Sequence, residues 1–160
     1  MILGLYAVFA LSASAQSAIA KLDGGTVDVQ SQKGKVVVLA VGASWLPLSA
    51  KQVEYLNTLA KNYAGKNVAF FYVVTDSTNA KSKNFASDDA VRKFAATNKL
   101  AIPVLRDSDG TIVLKTFKID QVPSFIVLDK TGSQAGEAFG GIDPKFDVTV
   151  PISKRIDSVL

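Results

Sequence analysis

Apolar and polar positions along this chain alternate with two periods, and the switches between them mark out the elements. Lys35 to Val41 is a continuous β-branched run, the pattern of a central strand covered on both faces. Val68 to Thr75 repeats it with Val, Phe and Tyr. Between them Val53, Leu56, Leu59, Ala60 and Tyr63 recur at helical spacing, and Gly65 closes that helix. Gly42 to Leu48 reads as loop, and Ser49 with Gln52 fits a capping box at the helix start. Upstream, Thr26 to Val29 alternates as a short strand, and Gln32-Lys33-Gly34 is a turn.

After the second long strand, Ser77 to Phe85 is polar and reads as loop. Ser87, Asp88 and Asp89 supply an N-cap and an acidic first turn. Val91, Phe94 and Ala95 then give a helix its buried face, up to Asn98. Ile102 to Leu105 is extended, Asp107 to Gly110 is a turn, and Thr111 to Ile119 is a short helix or an irregular segment. Ser124 to Leu128, a turn at Asp129 to Gly132, and Gln134 to Phe139 predict a β-hairpin. Pro151 suits the first turn of a last helix, with Ile152, Ile156, Val159 and Leu160 toward the core. Alternating strands and helices followed by an antiparallel hairpin imply an α/β domain: a mixed sheet with helices on both faces.

Composition narrows the chemistry more than any motif does. At 160 residues, with 48% apolar and 20% charged, the chain is long enough for one domain with a full core. Its 18 Lys and Arg are scattered without a run, so the net charge of +4 gives no nucleic-acid footprint. Zero Cys removes thiolate nucleophiles, disulfides and Cys-based metal sites, and zero His removes the commonest general base and metal ligand. No cofactor or metal site is expected. Asp107-Ser108-Asp109-Gly110 opens like a calcium loop but lacks the later acidic ligands, so it reads as an ordinary turn.

The first residues are apolar from Ile2 to Leu11, and Ala13-Ser14-Ala15 then fits a secretory cleavage site. The apolar run is too short to span a bilayer, and no Lys or Arg precedes Lys21, so the positive n-region is missing. Residues 1–15 are assigned to a signal peptide, with a start that looks truncated, and 16–160 to the domain. The competing reading is an apolar element of the domain itself.

Four segments, in order, carry a family resemblance. They are Gly34 to Leu39, Ala43-Ser44-Trp45, Pro103-Val104-Leu105 with Asp107 to Gly110, and Val122-Pro123-Ser124 to Asp129 with Gly132. From about Leu22 to Leu160 the chain resembles extracytoplasmic thioredoxin-like proteins of the TlpA/ResA type, within the redoxin (AhpC/TSA) group. The resemblance implies a thioredoxin-like three-layer sandwich, a periplasmic or secreted location, and a cis bond before Pro123. It also implies a Cys-x-x-Cys pair, whose places here hold Leu46 and Ser49. Leu46 has nothing to ionise, and the Ser49 hydroxyl stays neutral with no His to activate it, so no catalytic residue is assigned.

What remains by resemblance is a binding surface: Trp45, Leu46, Pro47, Leu48, Val122 and Pro123, where an extended peptide would pair beside the proline. Each has a plainer structural alternative. Ser49 reads as a cap, Trp45 as a lid over the core, at least one of Leu46 and Leu48 as buried, and Pro123 as the opening of an edge strand. The expected function is a redox-inactive thioredoxin-like domain holding a protein or peptide partner outside the cytoplasm, without nucleic acid and without a membrane span once the signal is removed. The alternative is a family-type thiol–disulfide or antioxidant role, exercised only with a cysteine-bearing partner.

Overall fold

The computed structural model describes residues 18–160; the expected signal segment and its cleavage after Ala15 lie outside the described residues. Seven strands form one sheet: β1 (Ala18–Lys21), β2 (Thr26–Asp28), β3 (Val36–Gly42), β4 (Val68–Val74), β5 (Val104–Arg106), β6 (Ser124–Leu128) and β7 (Phe139–Gly140). Their spatial order is β2-β1-β5-β4-β3-β6-β7. β3 and β5 flank β4 in parallel, while β6 runs antiparallel to β3 and β7 antiparallel to β6.

The helices are α1 (Ser49–Asn62), α2 (Asp88–Thr97), α3 (Val113–Thr116) and α4 (Thr149–Val159). Alternate residues of β3 feed two cores. Val36, Val38 and Ala40 pack with Leu56 and Leu59 of α1, Val91 of α2, and Ile152 and Ile156 of α4. Val37, Leu39 and Val41 pack on the other face with Val113 and Phe117. All seven residues of β3 are buried, as its unbroken apolar run requires. The result is the expected α/β sandwich with a mixed sheet between helical layers.

Three local expectations need correction. The sequence pattern marks no element at β1, because Ala18-Ile19-Ala20-Lys21 offers only one strongly β-forming side chain. Pairing on both sides, with β2 and with β5, makes it a strand. The hairpin partner spans only Phe139–Gly140, apart from an isolated bridge between Leu128 and Gln134. Gly136 takes φ +76° there, and the Arg155 guanidinium of α4 donates to the Ala135 carbonyl, so the segment between leaves the ladder. Finally, Ser49 is not a cap: the N-cap position is Leu48, and no side chain caps the helix. By contrast Ser87 does cap α2, its hydroxyl accepting the Ala90 N–H at 3.2 Å. In the turn before α3 the Asp107 carboxylate accepts the N–H groups of Ile112 and Val113.

Candidate functional site

Parallel β3, β4 and β5 end on the same side of the sheet, and ligand sites of open α/β sheets lie outside such carboxyl ends. Val41 near the end of β3 pairs with Ser124 at the start of β6, and Ser124 also pairs with Gly140 of β7. Three connections therefore leave the sheet together: the 43–48 loop, the turn ending at Pro123, and the chain from Gly141 onward. The Val122–Pro123 peptide bond is cis.

Within the 43–48 loop Trp45 is 54% exposed, the Leu46 side chain is half-buried and Pro47 is exposed. Leu48 turns inward and packs against the α1 side of the core. Val122 is half-buried against the opposite core, and Pro123 is buried. The exposed part of the predicted set is thus Trp45 and Pro47, with Leu46 and Val122 partly accessible.

Hydrogen bonds from α1 hold these connections in place. The Ser49 hydroxyl donates to the Ala43 carbonyl at 2.5 Å, closing the loop onto the helix start. The Gln52 side-chain amide donates to the carbonyls of Val41 at 3.1 Å and Ser124 at 2.9 Å. One buried side chain so joins the strand that precedes Trp45 to the strand that follows Pro123. Tyr55 of α1 donates to the Phe146 carbonyl, tying the third connection to the same helix.

Neither Leu46 nor Ser49 carries an ionisable group, and Gln52 puts an amide, not an acid, beneath them. Tyr72 is a buried phenol nearby; burial pushes its pKa far above the usual value, so it stays neutral. Among the described residues no three acidic, His or Cys side chains cluster as a metal site would need. None of Trp45, Leu46, Pro47, Leu48, Val122 and Pro123 carries an ionisable side chain.

An apolar groove of about 380 Å³, unmarked by any pattern in the sequence, lies between β7 and α4. Its walls include Phe139, Ile142, Phe146 and Pro151, and Phe146 is 58% exposed. One of its lining residues, Gly140, is the ladder partner of Ser124, the residue after Pro123. The available signal is Gly140-Gly141 followed by Ile142, which in sequence alone reads only as a flexible exit from the hairpin.

Residues 11–137 match the Redoxin family. The chain belongs to that family. A curated relative is the thioredoxin-like protein YneN of Bacillus subtilis (strain 168), 30% identical over 111 residues. That match takes in 69% of this chain but only 60% of the relative's length. Among solved structures, a Chlorobium tepidum chain described as thiol:disulfide interchange protein DsbE superposes with TM-score 0.74 at 19% identity, covering 91% of this redoxin and 93% of that chain. A secreted Mycobacterium tuberculosis disulfide oxidoreductase does so with TM-score 0.67 at 22% identity, covering 89% and 96%. At these identities the structural matches establish the thioredoxin-like fold. This redoxin departs from the chemistry those names describe in having no cysteine. Among the described residues no helix is long and apolar enough to cross a membrane.

Proposed function

We propose that this redoxin is a redox-inactive binding domain. It would take an extended peptide or a protein segment against Trp45, Leu46, Pro47 and the Val122-Pro123 turn, with the Phe146 groove receiving an apolar side chain. The observation that carries this reading is an exposed Trp45 on a braced loop, in a chain without any thiol. Large exposed aromatics beside an apolar recess are typical contact anchors. Leu48 would support the loop from the core side. An extracytoplasmic location, with residues 1–15 removed as a signal, belongs to the same proposal. It is supported by the Ala13-Ser14-Ala15 pattern and by the secreted relative.

Trp45 is the sole tryptophan, so its emission reports on the site alone. Thiol-blocked insulin B chain, an extended probe without tryptophan, is expected to shift that emission saturably. Calorimetry with Trp45→Ala should then show affinity weakened by about tenfold or more. Equal binding by wild type and Trp45→Ala would show that the contact lies elsewhere.

A further inference from the structure

Asp76 follows β4 and is 1% exposed, yet its carboxylate pairs with no cation among the described residues. Among those residues its two oxygens accept only from Ser44: the backbone N–H at 2.8 Å and the hydroxyl at 2.5 Å. Ser44 immediately precedes Trp45. Asp76 is itself fixed from behind. The buried Arg106 guanidinium donates to the Asp76 backbone carbonyl at 3.1 Å, to the Ala86 carbonyl, and to the Asp88 carboxylate at 3.0 Å. Next to it, Thr75 donates through both its N–H and its hydroxyl to the Gly42 carbonyl.

A buried carboxylate held by two donors of one residue is costly unless those bonds are well formed. Both bonds act on the residue just before the exposed indole. The Ser49–Ala43 bond secures the loop from the helix side, and the Asp76–Ser44 pair secures it from the β4 side. We infer that Asp76 is a positioning residue for the binding surface: it fixes Ser44 and so sets the direction in which Trp45 is presented. This rests on the binding reading above for its purpose. The effect on Trp45 can be measured without any ligand.

The test uses the full chain and three variants, each checked for fold by far-UV circular dichroism. In Asp76→Ala, steady-state anisotropy of Trp45 should fall and acrylamide quenching should rise, and affinity for thiol-blocked insulin B chain should drop about tenfold. Asp76→Asn should restore all three readouts, because its carboxamide can accept the Ser44 N–H and donate to the Ser44 hydroxyl. Ser44→Ala loses only the hydroxyl bond and should fall between; it carries the test if Asp76→Ala does not fold. Anisotropy and quenching equal to wild type in folded Asp76→Ala, or an Asn variant no better than Ala, would overturn the inference. Failure of wild type to bind the B chain would sink the peptide reading and leave the two Trp45 measurements to decide the role of Asp76.

Discussion

Gln52 and Tyr72 meet beneath the start of α1, each fully buried, and each has one polar atom without a hydrogen-bond partner among the described residues: Gln52 Oε1 and the Tyr72 hydroxyl. Gly42 lies beside both atoms, and a Cβ there would press on them, so any side chain at this position would force Gln52 or Tyr72 to shift. Burial is the main reason the Tyr72 phenol titrates above its ordinary value; the Ser49 hydroxyl opposes this and the Asp76 charge adds to it. The sign follows directly. Below about pH 10 both folded and unfolded phenols are neutral and stability is intact; above it the unfolded phenol ionises first and stability declines. Tyr72→Phe should flatten that alkaline decline in urea melts. At pH 7 it should change stability by less than about 1 kcal/mol, since among the described residues the lost hydroxyl makes no hydrogen bond of normal geometry and only lies near that of Ser49. Tyr63, pushed upward by burial and by its bond to Asp157, leaves some slope in the variant. An unchanged slope would mean that Tyr72 reaches water. Neither partnerless atom is legible in the sequence. Gln52 looks there like half of a capping box, and only the approach of β3 and β6 turns it into a clamp.

At the level of elements, α1 begins at Ser49, the second of the two positions where the family resemblance would put a cysteine pair. Leu46 and Ser49 stand one turn apart at its mouth, joined by the Ser49 N–H donating to the Leu46 carbonyl at 3.1 Å. Leu46→Cys with Ser49→Cys should therefore form a reducible disulfide, read by thiol titration before and after reduction. The helix N-terminus should favour the thiolate introduced by Leu46→Cys, so the double variant should gain insulin-reducing activity. A pair that stays reduced under mild oxidation would show that the loop lacks the needed geometry. Helix α1 is readable because apolar residues recur along its 14 positions, whereas its cap is not. Ser49 obeys the capping rule in type but spends its hydroxyl on Ala43, because the loop folds back across the helix start. The hairpin shows the same limit: the Gln134 to Phe139 pattern suits a strand, but Arg155 of a remote helix takes the Ala135 carbonyl.

For the whole molecule, the unaltered chain should show no insulin reduction by itself, with the double cysteine variant as positive control. Turnover by wild type would contradict the lack of any sulfur nucleophile in its composition. The α/β layering, the interior position of β3 and the absence of thiol chemistry are all readable from the chain alone. Those follow from hydrophobic period and residue type, which are properties of the chain read locally. That Leu48 turns inward while Trp45 faces out, and that Asp76 and Gln52 brace the loop through bonds spanning 32 and 72 positions of the chain, emerges only once the elements are packed together. The same packing leaves an apolar groove between β7 and α4, lined in part by Gly140, the partner of Ser124. Such features depend on which segments the sheet brings side by side, and hydrogen bonds between distant strands leave no periodic trace in the chain.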